Sequence, residues 1–338
     1  MGKKILIIGG AGFIGHNLAI KLKENNFDVS IIDGLEVNNL TSVILNQDNL
    51  PYPMLSKKIL EKRLSLLSEK KIPLFIQDAR NYHALSHLIT KTKPEIIIHL
   101  AAVSHAERSN KNPYTTFDHS LRTLENALDA SRDSIKHFIF LSSSMVYGNF
   151  KSQEVTEESL CEPIGIYAAL KYAAEKIIIA YNQVFNLPYT ILRPSALYGE
   201  RCISRRVGQI FIENALFDKE ITINGDGKEK LDFTYIEDLT DGILNIIDNK
   251  NSINQIFNLT FGEGREIIEL VEILKKYFPK ISIQNRPRDT LMPYRGTLSM
   301  SKAKSLLNFN SNWNLEKGYK KYIEWYVNFF QDNKKSFF

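Results

Sequence analysis

Cysteine is scarce in this chain, and long apolar runs are missing. The 338 residues include two cysteines, Cys161 and Cys202. No group of cysteines and histidines has the spacing of a metal site, so the sequence predicts neither a disulfide framework nor a bound metal. No segment approaches the length that spans a bilayer, and the apolar run at the N-terminus stops at glycine. We therefore expect a cytoplasmic protein without a membrane segment.

Blocks of charge of one sign are also missing. The chain has 43 lysines and arginines against 38 aspartates and glutamates, a net charge of +5, and the two signs are interspersed. With no basic stripe and no base-reading module, we expect no nucleic-acid partner. A mildly basic surface suits a small polyanion such as a nucleotide diphosphate, but an ordinary solvated surface has the same composition.

Short apolar runs alternate with amphipathic stretches in the first half of the chain. The candidate strands are Lys4–Ile8, Val29–Asp33, Pro73–Gln77, Ile96–Leu100, His137–Ser142 and Tyr189–Arg193. Continuous apolar strands separated by helix-length connections are typical of a parallel sheet covered on both faces. The sequence therefore predicts an α/β fold of the Rossmann type, a doubly wound parallel sheet with a smaller, interleaved C-terminal substrate lobe.

The pattern changes along the chain in a way that predicts its division. We assign residues 1–193 and about 232–260 to the sheet domain, and residues 194–231 and 261–330 to the smaller lobe. The connection at about 38–72 is longer than a crossover needs and contains an amphipathic helix; a lid, an oligomer contact and a tolerated insertion all fit it. Residues 331–338 are expected to form a frayed tail.

A glycine-rich turn follows the first strand directly. Gly9, Gly12 and Gly15 are spaced three apart and open a helical pattern. Such glycines permit a tight turn and close approach of the backbone to a pyrophosphate, which the free N–H groups of the helix start then bind. This placement predicts a dinucleotide cofactor.

Acidic residues end the next two strands. Asp33 can accept both hydroxyls of an adenosine ribose and would repel a 2′-phosphate, so NAD is favoured over NADP. Asp78 can bond the adenine amine, although a helix cap explains it equally well. Small residues follow the fourth strand in Leu100-Ala101-Ala102 and leave room for the cofactor.

Tyr167 and Lys171 stand four residues apart in an alanine-rich stretch. Residues at i and i+4 project from one face of a helix, so the phenol and the ammonium are predicted to lie side by side. A nearby ammonium stabilises a phenolate, which would make Tyr167 a base near neutral pH.

Taken together, these motifs resemble the extended short-chain dehydrogenase/reductase superfamily, specifically the NAD-dependent nucleotide-sugar epimerase/dehydratase family. The matching segments run in family order and are Gly9-x-x-Gly12-x-x-Gly15, His99-Leu-Ala-Ala102, Ser142-Ser-Ser-x-Val-Tyr147-Gly, Tyr167-x-x-x-Lys171, Leu192-Arg-Pro194, Tyr198-Gly199, Gly225-Asp-Gly227 and Asp232-Phe-Thr-Tyr-Ile-Glu-Asp238.

The resemblance implies roles for individual residues. Tyr167 would be the catalytic base or acid, Lys171 would lower its pKa and hold the nicotinamide ribose, and Ser143 would bond the reacting sugar oxygen. The implied cofactor-binding residues are Gly9, Gly12, Phe13, Ile14, Gly15, Asp33, Asp78, Ala79, Leu100, Ala101, Ala102, Ser142, Tyr167, Lys171 and Pro194. The family also implies a homodimer in which helices near 117–130 and 166–184 pair with their symmetry mates.

Departures from the family pattern narrow the chemistry. The 4,6-dehydratases carry Asp and Glu at the two positions after the catalytic hydroxyl residue, where this chain has Ser144 and Met145. Methionine cannot abstract a proton, so elimination of water is not expected. Many UDP-sugar members carry Asn and Arg at the positions of Ala196 and Leu231, so GDP is considered beside UDP.

The residues expected to bind the substrate come from several segments. Arginine forks suit a diphosphate, and the segment Ser104-His105 resembles a loop that borders the sugar pocket. The candidates are Ser104, His105, Ser143, Ser144, Tyr167, Arg205, Arg206, Arg286 and Asp289.

The sequence predicts an NAD-dependent oxidoreductase that oxidises a ring hydroxyl, most often C4, of a nucleotide-diphosphate sugar for surface-polysaccharide synthesis. A 4-epimerase with a transient keto intermediate and a 4-dehydrogenase that releases the keto sugar fit the residues equally well. The alternatives are a dehydratase or keto-sugar reductase of the same family, and a non-catalytic NAD-binding protein.

Overall fold

The computed structural model of the protein describes residues 2–45, 50–103 and 106–337. The strands are β1 (Lys4–Ile8), β2 (Asp28–Asp33), β3 (Leu74–Ile76), β4 (Ile96–His99), β5 (His137–Leu141), β6 (Glu154–Val155), β7 (Tyr189–Arg193), β8 (Leu197–Tyr198), β9 (Ile221–Asn224), β10 (Lys230–Asp232), β11 (Thr234–Tyr235), β12 (Gln255–Asn258), β13 (Gly264–Glu266), β14 (Ile283–Arg286) and β15 (Thr297–Leu298). The α-helices are α1 (Phe13–Glu24), α2 (Leu40–Ile44), α3 (Pro53–Glu69), α4 (Tyr82–Thr92), α5 (Ala106–Lys111), α6 (Pro113–Phe117), α7 (Thr123–Ser131), α8 (Gly165–Phe185), α9 (Val207–Leu216), α10 (Ile236–Ile247), α11 (Ile267–Lys275), α12 (Ser301–Leu307) and α13 (Leu315–Asn333).

Seven parallel strands form the central sheet in the order β12-β7-β5-β4-β1-β2-β3. The β4, β5 and β7 strands are buried along their whole length, which explains why they are continuous apolar runs. All six strands predicted from the sequence are present within one residue at each end, and the α/β doubly wound fold is confirmed. The seventh strand, β12, was not predicted, because its four residues include polar Gln255 and Asn258.

The strand order reverses between β1 and β4. From β1 the chain adds β2 and β3 on one side of the sheet, and from β4 it adds β5, β7 and β12 on the other. Crossover connections therefore diverge at the carboxyl ends of these two strands and leave a crevice there, where ligands of open α/β sheets bind.

The C-terminal part adds paired short strands. β8 pairs with β11, β9 with β14, β10 with β13, and β6 with β15. Helix α11 packs against α9 and α13. The chain thus crosses repeatedly between the sheet and the smaller elements, while the residue boundaries proposed for two lobes stay a prediction.

The long connection after β2 carries α2 and α3. Leu55, Ile59, Leu60 and Leu67 of α3 follow helical spacing and are buried in the main hydrophobic core. The connection therefore contributes core, although it exceeds the length of an ordinary crossover.

The C-terminal end of the chain differs from the expected frayed tail. Helix α13 continues to Asn333, and a 3₁₀ turn follows it. The ring of Phe337 stacks on Phe330 with 5.2 Å between centroids, which holds the end against the helix.

Asp232 joins β10 to the elements around it. Its side chain is fully buried and accepts hydrogen bonds from the Thr260 hydroxyl at 2.9 Å, the Leu298 N–H at 3.1 Å and the Gly262 N–H at 3.1 and 3.2 Å. Burial raises the pKa of Asp232 to about 7, and these donors oppose the rise.

The stability of the fold is expected to fall as the pH rises through neutrality. A carboxyl whose pKa is higher in the folded state than in the unfolded chain stabilises the fold fully below the unfolded pKa of about 4. That contribution is lost as the pH rises through about 7 for Asp232. Thermal unfolding followed by circular dichroism from pH 5 to 8 should show a steeper decline in the wild type than in Asp232→Asn. Equal slopes would mean that another group titrates.

Candidate functional site

The glycine turn between β1 and α1 lies against the loop after β4. Gly9 has φ of +81°, and a Cβ built on it would lie 2.7 Å from the backbone nitrogen of Ala101. A Cβ on Gly15 would lie 2.4 Å from the Cα of Gly10. Both positions require glycine, because any side chain would push backbone against backbone.

One cleft is lined by the residues predicted to bind the adenosine and pyrophosphate end of the cofactor. The predicted residues that line it are Gly9, Gly12, Phe13, Ile14, Gly15, Asp33, Asp78, Ala79, Leu100, Ala101 and Ala102. Glu36, Gln77, His119 and Thr123 also line it and were not predicted. The glycine turn and the small residues opposite it leave backbone-lined space that fits a dinucleotide.

Asp33 holds the turn and faces the cleft. Its carboxylate accepts the N–H of Ala11 at 2.9 Å and that of Leu35 at 2.7 Å. Burial raises its pKa, and the two N–H groups oppose the rise. Each oxygen keeps a lone pair for a ribose hydroxyl, and Glu36 nearby adds to the repulsion of a 2′-phosphate.

Arg80 forms hydrogen bonds with the Asp78 carboxylate. The carboxylate accepts from the Arg80 backbone N–H at 2.8 Å and from its Nε at 2.9 and 3.1 Å. Burial would raise the pKa of Asp78, but the hydrogen bonds from Arg80 outweigh it and hold the pKa below its ordinary value. The helix cap, which was the alternative role for Asp78, falls instead to Asn81, whose side chain accepts the Ala84 N–H.

Ser143, Tyr167 and Lys171 meet at the carboxyl end of β5. The Ser143 hydroxyl is near enough to the Tyr167 phenol to lower its pKa, and the Ser143 oxygen accepts the Met145 N–H at 3.2 Å. The Lys171 ammonium is buried and donates to the carbonyl of Leu141 at 2.6 Å. Burial lowers the pKa of Lys171 to about 8, and the nearby Glu175 carboxylate opposes the fall.

The effect of Lys171 on the pKa of Tyr167 stays a prediction, and in the structure this pKa is shifted by burial, a serine and two arginines. Burial raises the pKa of Tyr167 above its usual value. The groups that oppose the rise are the guanidinium of Arg206, the Ser143 hydroxyl and the guanidinium of Arg295. Lys171 is not among these groups, and its ammonium donates to the Leu141 carbonyl.

A buried ion pair lies behind these residues. Arg193 donates to Glu175 through Nη2 at 2.6 Å and Nε at 3.0 Å, and both side chains are at most 3% exposed. The Ser142 hydroxyl donates to the same carboxylate. Removing one partner of such a pair costs several kcal/mol, roughly 3 to 5. Ser142 is therefore fixed by the ion pair at the wall of the site.

A second cavity adjoins the cofactor cleft through shared residues, Ile14, Leu100, Ala102 and Arg206. The remaining predicted cofactor residues line this cavity and are Ser142, Tyr167, Lys171 and Pro194. The predicted substrate residues that line it are Ser143, Ser144, Tyr167, Arg205, Arg206 and Asp289.

The other residues predicted to bind the substrate are Arg286, Ser104 and His105. Arg286 lies exposed at the end of β14 and is not among the residues that line the cavity, whereas Arg288 is. Ser104 and His105 lie outside the described residues. The substrate-binding role of Arg286 therefore stays a prediction.

Arg288 and Glu229 also line the cavity, although neither is among the candidates for substrate binding given above. Arg288 donates to the Glu229 carboxylate through Nε and to the Met292 carbonyl through Nη2. Its guanidinium lies 3.8 Å from the centre of the Tyr294 ring. The segment after β14 is thus folded onto β10 by an arginine fork, with no periodicity that sequence patterns could have detected.

Arg206 and Arg295 are the cavity arginines with spare donor capacity. The Nε of each is buried and has no hydrogen-bond partner in the described part of the chain. Burial lowers the pKa of Arg295 to about 10, so the group stays charged at neutral pH. Two cations with buried, unused donors facing one cavity favour an anionic ligand.

Ser144 and Met145 line the cavity beside Ser143. Both are buried, and the Ser144 hydroxyl has no partner among the described residues. The acids among the cavity residues are Glu229 and Asp289, and the first is held by Arg288. No carboxylate pair therefore stands next to Ser143 in the part of the chain that the structure describes.

The chain matches known proteins over nearly its whole length. Residues 5–260 match the NAD dependent epimerase/dehydratase family. A protein of Methanocaldococcus jannaschii provisionally named UDP-glucose 4-epimerase is 31% identical over 331 residues, 96% of this chain and 98% of that one. A crystal structure of UDP-glucuronic acid 4-epimerase from Bacillus cereus, in complex with UDP-glucuronic acid and NAD, has a TM-score of 0.85, 27% identity and coverage of 96% and 99%.

The UDP-glucose 4-epimerase of Thermotoga maritima, solved with UDP-glucose, has a TM-score of 0.84 at 26% identity and covers 99% of its own chain and 96% of this one. The chain belongs to the NAD-dependent epimerase/dehydratase family, which confirms the resemblance drawn from the motifs. It is an enzyme of that family and its cofactor is NAD.

None of the helices in the described part of the chain is both long and apolar enough to cross a membrane. No group of three or more His, Cys, Asp or Glu side chains among those residues could hold a metal ion.

Proposed function

We propose that the protein is a 4-epimerase of a nucleotide-diphosphate sugar, which oxidises the C4 hydroxyl and reduces the keto group from the opposite face. The observation that supports this best is the grouping of Ser143, Tyr167 and Lys171 beside the cofactor cleft, with Ser144 and Met145 where elimination would need two carboxylates. Similarity to 4-epimerases along the whole chain supports the same reaction.

Each protein group has one task in the proposed reaction. NAD supplies a hydride acceptor when it is bound. The Ser143 hydroxyl bonds the reacting sugar oxygen. The ionised Tyr167, a phenolate, takes the proton from that oxygen as the hydride leaves the carbon for the cofactor, and the phenol so formed returns the proton in the second half of the reaction. Lys171 holds a positive charge at the end of β5, where it lies buried against the Leu141 carbonyl.

The substrate is proposed to carry UDP or GDP. UDP is supported by the relatives solved with UDP-sugars. GDP is kept because Ala196 and Leu231, which replace the usual Asn and Arg, both line the cavity. Arg206 and Arg295 are proposed to supply the lost anion contacts, since arginine forks match phosphate oxygens.

Incubation with UDP-, GDP-, CDP- and dTDP-sugars, followed by NMR and by NADH absorbance, tests the reaction. The proposal expects one sugar epimerised at C4 without accumulation of NADH. Stoichiometric NADH with a free keto sugar would identify a 4-dehydrogenase, and loss of the C6 hydroxyl would identify a dehydratase. No product with any sugar would favour a non-catalytic NAD-binding protein.

We also propose a homodimer formed through α6, α7 and α8. Tyr114 and Phe117 on α6 and Val184 and Phe185 at the end of α8 are large apolar side chains that are 40% to 84% exposed. Exposed apolar residues on neighbouring helices favour burial against a second copy. Light scattering that shows only monomer would contradict it. A cytoplasmic location and a role in surface-polysaccharide synthesis stay predictions.

A further inference from the structure

The long helix α3 places one arginine inside the protein. Arg63 is 1% exposed, although its neighbours Lys62 and Leu64 on the same helix are more accessible. Its Nε donates to the backbone carbonyl of Arg201 at 2.8 Å, and its Nη2 donates to the same oxygen. Arg63 thus clamps the loop that follows β8.

Arg201 carries the connection to the glycine turn. It has φ of +64°, a left-handed conformation that is unfavourable for a side-chain-bearing residue and that the Arg63 clamp stabilises. Its Nε donates to Nε2 of His16 at 2.9 Å, and its Nη2 donates to the side chain of Asn17. Two consecutive residues of α1 are therefore held by one guanidinium.

His16 completes the chain of contacts. It is fully buried, and its Nδ1 lies 2.8 Å from the carbonyl of Gly12. Because Nε2 accepts from Arg201, Nδ1 must carry the proton and donate to Gly12. Burial and the charges of Arg63 and Arg201 lower the pKa of His16 well below its usual value, which keeps the ring neutral. Arg63 is thereby linked through Arg201 and His16 to Gly12, the residue that precedes α1.

No ion pair neutralises the charge of this group in residues 2–45, 50–103 and 106–337, although Asp33 acts on Arg63, and Glu200 and Glu237 act on Arg201, at longer range. The Nη1 of Arg63 is buried without a hydrogen-bond partner in the same residues. The buried guanidinium of Arg63 and the half-buried guanidinium of Arg201 therefore lie beside the start of α1, whose free N–H groups are already electropositive. Their field favours an anion at the glycine turn.

We propose that Arg63 is a positioning residue for NAD, which through Arg201 and His16 fixes the Gly12 carbonyl and adds positive potential where the pyrophosphate binds. Residues 38–72 would then serve cofactor retention. The proposal rests on NAD binding and not on which sugar is turned over, so it is independent of the proposed 4-epimerase activity.

The test compares Arg63→Met with Lys62→Met, the adjacent exposed position on the same helix. The readout is the rate at which NADH leaves the holoenzyme during a chase with excess NAD, followed by NADH fluorescence. Arg63→Met is expected to release NADH at least about tenfold faster, since one buried charge and a positioning contact are lost. Lys62→Met should match the wild type.

Two further measurements separate positioning from a general loss of structure. At saturating NAD, the thermal midpoint of Arg63→Met should fall by no more than about 5 °C, because the hydrogen bonds lost to the Arg201 carbonyl are one local contact of a large core. Binding of UDP at saturating NAD, followed by the quenching of protein fluorescence, should also be unchanged. Equal NADH release in Arg63→Met and Lys62→Met would overturn the proposal, as would a midpoint that falls together with UDP binding.

Arg63→Lys is a second variant that tests the proposal even if Arg63→Met does not fold. It keeps the charge but lacks the fork that holds the Arg201 carbonyl. Its NADH release is expected to lie between those of the wild type and Arg63→Met. A rate equal to that of the wild type would overturn the positioning role of the fork.

Discussion

Replacing Tyr167 by phenylalanine is expected to reduce turnover by about three orders of magnitude while NAD stays bound, which is within the range for loss of a general acid–base group. Tyr167 lies in the substrate cavity and not among the residues that line the adenosine cleft. The Ser143 hydroxyl lowers the pKa of its phenol, and no carboxylate pair stands beside that serine among the described residues. In that part of the chain, the proton transfer at the sugar oxygen is therefore left to Tyr167.

The matched control is Tyr172→Phe on the same helix. Tyr172 is partly buried and does not line the cavity; the Lys176 ammonium lies 4.8 Å from the centre of its ring. This variant should keep wild-type turnover. The measurement is kcat for the sugar identified in the panel, with bound NAD determined by mass spectrometry. A Tyr167→Phe enzyme within tenfold of the wild type would show that Tyr167 is not the base.

The cofactor end could be predicted from the sequence because its signals are local. Gly9, Gly12 and Gly15 lie within seven residues of one another. The strands before and after them, β1 and β2, are apolar runs that lie side by side in the sheet. Backbone geometry in such a turn depends on the absence of side chains, which the sequence states directly. The structure brings every predicted glycine to the same cleft.

The substrate end was harder because its residues come from irregular segments. Arg288 and Arg295 lie between β14 and β15, where no periodic pattern indicates which side chain faces inward. Arg286 was chosen by its match to the family, and the structure exposes it. The sequence shows which residues of this segment are charged. It does not show the path of the backbone, which decides which of them face the cavity.

The burial of charged side chains could not be predicted from the sequence either. The helical pattern of α3 predicted an apolar stripe, in which arginine would normally lie on the solvent side, yet Arg63 is buried. The spacing of Tyr167 and Lys171 predicted neighbours on one helix face, but the pKa of Tyr167 depends on burial and on Arg206 and Arg295. Such effects depend on distant segments that only the folded chain brings together.

Replacing Arg206 or Arg295 by methionine is expected to raise the KM for the nucleotide sugar by roughly 10- to 100-fold, the cost of removing one charged partner from a desolvated contact. Both residues line the cavity, and the Nε of each is buried with no partner in the described part of the chain. A diphosphate would accept from these donors. The measurement is steady-state kinetics with the preferred sugar, beside Lys228→Met as an exposed control.

The same variants should change the pH dependence in a defined direction. The guanidinium groups of Arg206 and Arg295 oppose the burial that raises the pKa of Tyr167. Loss of either charge leaves the phenolate less stabilised, so the pKa of Tyr167 rises further and the ascending limb of kcat/KM moves to higher pH. A purely structural defect would lower kcat/KM without moving that limb.

Arg286→Met separates the sequence prediction from the structure. If Arg286 binds the diphosphate, as its match to the family implied, its KM effect should equal that of Arg295→Met. The exposed position of Arg286 outside the cavity predicts a KM within about twofold of the wild type, as is usual for surface substitutions. An unchanged KM in both Arg206→Met and Arg295→Met would contradict the anion site, because the Nε of each is buried and has no partner in the described residues.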